Sequence, residues 1–189
     1  MITRSQGIKL PRDSQRSRVY KAEREAFKGH VNLDYILPSL ESCEKYARHV
    51  AQLKRISRIE YAPAHYSHKL KAGWTPTISD GRGSPRARAL GSVIQLPHWA
   101  RKKWVILHEL THLLVPWHIR PSHGWEFCAT YLKVVLYAEG REAHDLLKAS
   151  FKKHKIRFRP KRTITMTPER KAELSARMAA MRAARKAAA

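Results

Sequence analysis

Apolar residues recur along much of the chain at the roughly 3.6-residue spacing of an amphipathic helix. The spacing predicts five helical segments, and a cap or a stop residue marks most of them. Ser39 can cap the second segment, Pro116 ends the third, and Gly29 and Gly140 end the first and the fourth. The third segment is apolar nearly all round, which is typical of a central buried helix. The segments are residues 17–29, 38–57, 99–115, 122–139 and 141–156.

Two shorter stretches have the composition of β-strands. Residues 55–63 (RISRIEYAP) and 88–97 (RALGSVIQLP) combine apolar and β-branched residues, and the second runs into Pro97. Residues 63–85 are rich in Pro, Gly, Ser and Asp, so we expect loops or a hairpin turn there. Together with the helices, this pattern predicts an α+β fold.

Charge is unevenly distributed along the chain. Lys and Arg number 38 against 15 Asp and Glu, a formal charge of +23 that predicts attraction to polyanions such as DNA or RNA. From Lys148 onwards there are 14 Lys or Arg and two Glu, so about half of the excess lies in the last fifth of the chain. The Ala-rich end has a Thr cap followed by Pro, which predicts a solvated helix. We therefore divide the chain into a basic N-terminal arm (1–18), a central domain (19–162) and a basic helical tail (163–189).

The remaining composition excludes several classes. Cys43 and Cys128 are too few for a disulfide framework and form no CxxC metal motif. The first residues contain no apolar secretory region, and no apolar run reaches the ~18 residues of a membrane span. We expect a cytoplasmic protein with no membrane partner.

The central predicted helix contains an HExxH pattern at residues 108–112. Each helical residue turns by about 100°, so His112 lies about 40° around from His108 and one turn along. Both imidazoles can therefore converge on one ion, and Glu109 lies in the same arc. Zinc lowers the pKa of a bound water towards ~7, and a neighbouring carboxylate can take its proton. Two core histidines with a surface glutamate are the alternative, but such groups are costly in an apolar helix without a partner.

Two histidines leave zinc short of ligands, and two later histidines can supply the third. His118 has the spacing after the second histidine that extended metzincin motifs show, but Val115 occupies the position of their turn glycine. His123 opens the next helical segment, where a ligand is held more firmly than in a loop. We favour His123, with His118 as the alternative. Glu126 is a candidate to orient a ligand histidine, and an exposed salt bridge explains it equally well.

The segment HELTH followed by HGWEF resembles the SprT-like zincins, in which a histidine of an HG-containing segment completes an HExxH helix. The likeness is closer to a small family of metallohydrolases from actinobacteria and their phages, through RDSQRSRVYKAE, LPHWARKKWVILHELTH and HGWEFCATYL. It covers about residues 11–162. The resemblance implies a zincin-like minimal metallopeptidase domain in which a small sheet packs on the HExxH helix. It also implies that the domain binds Zn²⁺ through His108, His112 and His123, with Glu109 as catalytic base. It implies the host cytoplasm if the chain is phage-encoded, and it names no substrate.

Two functions follow from these features. The first is a zinc-dependent metallohydrolase, most simply a peptidase acting on a protein or peptide, with basic termini that bring it to nucleic acid. The second is a basic nucleic-acid-binding or particle-associated protein whose zinc site is non-catalytic. A metal-dependent nuclease is less well supported, because no Asp cluster for two Mg²⁺ ions is present.

Overall fold

The structure, a computed structural model, describes residues 12–56, 75–115, 121–160 and 167–187. Five α-helices and one three-stranded sheet lie within these residues, so the predicted α+β class is confirmed. A 3-10 turn, His98–Ala100, precedes the third helix. The helices are α1 (Arg16–Phe27), α2 (Leu40–Gln52), α3 (Lys103–Leu114), α4 (Trp125–Lys153) and α5 (Pro168–Ala187), and the strands are β1 (Thr77–Asp80), β2 (Arg88–Leu90) and β3 (Val93–Leu96).

Local signals placed some helix ends to within two residues, but α2 ends at Gln52 rather than at residue 57, and α3 begins at Lys103 rather than at Trp99. The hydroxyl of Ser39 accepts a hydrogen bond from the backbone N–H of Ser42 at 3.0 Å, which caps α2 as predicted. Helix α1 ends at Phe27, two residues before the predicted stop at Gly29. The central predicted helix is α3, which ends at Leu114.

Helix α4 is broken at Gly140, where the backbone has φ 89° and ψ −174°. This region of backbone space is open to glycine and closed to nearly all other residues. The two helical segments predicted on either side of Gly140 are therefore the two arms of α4.

The sheet differs from the prediction in two ways. Strand β1 lies inside residues 63–85, which were predicted to be loop or turn, and it pairs in parallel with β3. The predicted strand 88–97 is two antiparallel strands, β2 and β3, joined by a two-residue turn in which Gly91 has φ 61°. Each strand has only three or four residues, so the partner strand rather than local composition decides its conformation. Of the other predicted strand, Arg55 and Ile56 lie in a turn after α2, and residues 57–63 lie outside the described residues.

Helix α3 lies at the centre of the domain. Helices α2 and α4 and strands β2 and β3 all pack against it, so the small sheet covers the HExxH helix as predicted. Helix α1 packs along the second arm of α4, and the hydroxyl of Ser150 donates to the carbonyl of Ala22 at 2.9 Å between them. Both helices contribute buried residues to the core, which are Val19, Ala22 and Phe27 of α1 and Ala143, Leu147 and Phe151 of the second arm of α4.

The C-terminal helix α5 is solvated, as predicted. None of its residues is buried, and the hydroxyl of Thr167 accepts from the backbone N–H of Arg170 at 3.3 Å. Across the described residues, no helix has both the length and the apolar composition that a bilayer span requires.

We predict that Gly140→Ala lowers the free energy of unfolding by about 1–3 kcal/mol, because alanine resists the backbone conformation at this break. Urea denaturation followed by circular dichroism measures this change. Glu142→Ala, an exposed change in the same helix, is the control, with an expected effect within about 0.5 kcal/mol. Equal stability of the Gly140→Ala and wild-type proteins would contradict the prediction.

Candidate metal centre

Three histidines from two neighbouring elements converge at one point. His108 and His112 lie one turn apart on α3, and His123 lies just before the first residue of α4. The Nε2 atom of His108 is 3.1 Å from Nε2 of His112 and 3.3 Å from Nε2 of His123. Three nitrogens bound to one tetrahedral zinc ion would be about 3.4 Å apart, given Zn–N bonds of about 2.0–2.1 Å. The donor set and its spacing therefore fit a metal ion.

All three imidazoles are largely withdrawn from water. His108 and His123 are only 2% and 4% exposed, and the ligand atoms of the cluster lie within 4.8 Å of one another. The ring of Phe127 packs against the three imidazoles, with centroid distances of 4.4–5.0 Å. Phe127 thus holds the first turn of α4 against α3. His118, the alternative third ligand, lies outside the described residues.

Two carboxylates orient the cluster from the outside. Glu23 of α1, fully buried, is hydrogen-bonded to Nδ1 of His108. Asp13 Oδ2 lies 2.7 Å from Nδ1 of His123. A carboxylate at Nδ1 favours the tautomer that carries its proton there, which leaves the Nε2 lone pair free for a metal. Glu126, the predicted candidate for this role, makes no hydrogen bond to a histidine among the described residues.

Burial and neighbouring charges together set the pKa values of the three histidines. It lowers the pKa of His112 well below the ordinary value, and repulsion from His108 and His123 lowers it further. Burial, together with the charge of His108, lowers the pKa of His123 to about 4, against the opposing effect of Asp13. Burial also acts to lower the pKa of His108, but the charge and hydrogen bond of Glu23 outweigh it and raise this pKa. His112 and His123 are therefore neutral at pH 7, the form in which imidazole binds a metal.

The carboxylate of Glu109 lies beside this cluster and is 6% exposed. Burial raises its pKa, which is the direction that makes a carboxylate a better proton acceptor near neutral pH. The backbone amide of Ala89 in β2 acts in the opposite direction and lowers this pKa, but burial outweighs it.

Two cavities open on either side of Glu109. Their volumes are about 420 and 480 Å³, and both are lined by Glu109, Arg16 and Tyr20. The first extends towards Trp99 and Trp104. The second extends to the histidine cluster. Glu109 therefore borders both cavities.

Helix α1 supplies site residues that the sequence analysis missed. The ring of Tyr20 stacks on that of His108 with centroids 5.3 Å apart, and the guanidinium of Arg16 lies 5.8 Å from the centre of the Tyr20 ring. Glu23 comes from the same helix, one turn further along. In the sequence, only the segment RDSQRSRVYKAE pointed to this helix. It contributed to the family resemblance but did not indicate the role of any residue.

The described part of the predicted N-terminal arm also belongs to the site. The side-chain amide of Gln15 donates to the carbonyl of His123 at 3.0 Å, and its oxygen accepts from the backbone N–H of Arg157 at 2.6 Å. Asp13, from the same stretch, bonds His123 directly. The predicted division after residue 18 therefore does not separate the arm from the site.

Comparisons of this chain with protein-family models, with curated proteins and with solved structures found no match. The fold and the geometry of the site are therefore what define the class of this protein. It is an α+β protein with three clustered histidines that could hold one metal ion.

We predict that the purified protein binds one zinc ion per chain and that His123→Ala abolishes this binding, because two imidazoles alone bind zinc weakly. Metal content after dialysis, measured by mass spectrometry, tests the prediction. His118→Ala is the matched variant and is expected to retain its zinc. Loss of zinc in His118→Ala alone would show that the ligand choice is wrong.

Asp13→Ala should weaken zinc binding by about 10- to 100-fold, because His123 loses the partner that orients it. Competition with a chromophoric chelator measures this affinity. Asp145→Ala is the matched control, since Asp145 also lies 2.7 Å from a histidine Nδ1, that of His144, but on an exposed face of α4. An unchanged affinity in Asp13→Ala would remove Asp13 from the metal centre.

Proposed function

We propose that this protein is a zinc-dependent metallohydrolase and, more specifically, a peptidase that uses Glu109 as its general base. The observation that carries the proposal is the position of the Glu109 carboxylate, buried beside the three-histidine cluster and facing two open cavities.

An open position at the metal separates a catalytic site from a structural one. Structural zinc sites have four protein ligands and are closed, whereas catalytic sites have three and leave room for a water or substrate. Three histidines form the cluster here, and a cavity of about 480 Å³ reaches His112 and His123. This arrangement favours catalysis over a purely structural role.

Zinc in such a site supplies Lewis acidity and makes water a stronger acid. The residues of the chain transfer the proton, orient the histidines and contact the substrate. Glu109 accepts a proton from the attacking water while the oxygen of that water bonds to the amide carbon of the substrate. Glu109 then donates this proton to the amide nitrogen as the carbon–nitrogen bond breaks. Glu23 and Asp13 hold the histidines in their tautomers, and Arg16 and Tyr20 are placed to contact a substrate that lies across Glu109.

Two further features concern where the enzyme works. Helix α5 is exposed along its whole length and adds four Arg and two Lys, which favours contact with DNA or RNA. We therefore infer that its substrates include proteins bound to nucleic acid, in agreement with the resemblance to SprT-like zincins. Cys43 and Cys128 are both buried and unpaired, which is consistent with the cytoplasm, or the host cytoplasm for a phage-encoded chain.

The second candidate function is a nucleic-acid-binding or particle-associated protein with a non-catalytic zinc site. The exposed basic helix α5 and the charge of +23 favour it. This protein would bind oligonucleotides with an affinity that falls steeply as salt rises, and it would hydrolyse no peptide.

We predict that Glu109→Gln lowers peptide hydrolysis by about 10²- to 10⁴-fold while zinc stays bound, because glutamine cannot accept the proton. Turnover of a labelled denatured-protein pool, together with metal content, measures both effects. The exposed change Glu142→Gln is the control and should retain full activity. Undiminished turnover in Glu109→Gln would remove Glu109 from the mechanism. A wild-type protein that binds zinc and DNA but cleaves no peptide would favour the second candidate.

A further inference from the structure

Three arginines surround the cavity that lies between Glu109 and the two tryptophans. Arg16 and Arg24 come from α1, and Arg86 comes from the loop between β1 and β2. The cavity is therefore bounded by cationic side chains on both the helix side and the sheet side.

These guanidinium groups have no counter-ion within the described protein. None of the three forms an ion pair with a carboxylate of the described residues. The carboxylates that line the same cavity are Glu23 and Glu109. Both are buried, and Glu23 is hydrogen-bonded to His108. An anionic ligand could therefore pair with these guanidinium groups.

The walls of the cavity are aromatic. Trp99 is 50% exposed, while the indole of Trp104 is fixed by a hydrogen bond from its Nε1 to Asp34 at 3.3 Å. Such walls suit the aliphatic part of a side chain, and guanidinium groups suit a carboxylate, which they can bind through paired hydrogen bonds. A side chain that combines methylene groups with a carboxylate matches both features.

We propose that this cavity binds an acidic side chain, glutamate or aspartate, of a peptide substrate, next to the bond that Glu109 attacks. The inference rests on the proposed function, because it takes the cavity to be part of the substrate-binding cleft. A peptide fits better than a nucleic acid strand, which needs a row of stacking platforms along a groove. Trp99 is the single strongly exposed tryptophan among the described residues.

The test measures binding without turnover. Full-length, zinc-loaded Glu109→Gln protein is titrated into fluorescein-labelled, Ala-rich heptapeptides that differ only in a central Glu, Gln or Lys, and fluorescence anisotropy gives each affinity. We expect the Glu peptide to bind about tenfold more tightly than the Gln peptide, the factor typical of one charge-assisted hydrogen-bonded pair. Adding Arg24→Ala or Arg86→Ala to this protein should each remove most of that preference.

A matched control separates a specific cavity from general attraction to a basic protein. Arg82 lies in the same loop as Arg86 with its side chain 91% exposed, and it does not line the cavity. Arg82→Ala should therefore keep the preference for Glu. Arg86→Glu should shift the preference towards the Lys peptide, which also checks that the loop variants bind peptide at all.

Several outcomes would overturn the proposal. Equal affinity for the Glu and Gln peptides would do so, as would an equal loss of preference in Arg82→Ala and Arg86→Ala. If Arg24→Ala and Arg86→Ala weaken the binding of a labelled oligothymidylate more than they weaken the binding of the Glu peptide, the cavity is assigned to nucleic acid. The proposed function is judged separately. Wild-type hydrolysis without a preference for Glu would remove only this inference, whereas a preference for Glu without any wild-type hydrolysis would remove only the enzymatic function.

Discussion

The hydrogen bond between Glu23 and His108 connects the helix that covers the site to the helix that carries it. A fully buried carboxylate without a polar partner would cost several kcal/mol, so α1 is held in the one register that brings Glu23 to the imidazole. The same bond places the proton on Nδ1 and turns Nε2 towards the other two histidines. Asp13 repeats this arrangement at His123, so the first described residues of the chain set the geometry of the whole cluster.

That register also shapes the cleft. With Glu23 anchored, the preceding turns of α1 place Tyr20 over His108 and Arg16 beside both cavities. Strand β2 forms part of the opposite wall, where Ala89 lines the same cavity as Glu109. The candidate base therefore lies between a helix and the edge of a sheet, and each belongs to a packed layer of the domain. Its position is a consequence of core packing rather than of a flexible loop.

The charges of the protein are divided between its interior and its surface. The carboxylates that line or support the site, Asp13, Glu23 and Glu109, lie against the histidines, where their negative charge would balance a divalent cation. The positive excess lies outside, on the rim of the cleft and along α5. A cationic exterior around an anionic centre can attract a polyanion or an acidic peptide without displacing a metal, because the two interactions occupy different regions.

The sequence by itself determined the features that depend on local geometry. The helical repeat places His108, Glu109 and His112 in one arc of α3, the cap at Ser39 begins α2, and only glycine adopts the backbone of residue 140. The α+β class followed from the same periodicities, and His123 was chosen because it opens the next helix. The arc on α3, the cap and the glycine break involve residues at most a few positions apart, whose relative placement the backbone repeat dictates.

Tertiary structure alone decided the rest of the site. Glu23 is 85 residues from His108, and Asp13 is 110 residues from His123, so no spacing in the chain relates them. Strand β1 became a strand because β3 lies beside it, although its own composition is that of a loop. The three arginines of the cleft come from α1 and from the loop between β1 and β2, which the sequence analysis did not connect with each other or with the site. Contacts of this kind form only when packing brings distant segments together, because they depend on burial in three dimensions rather than on the period of a helix or a strand.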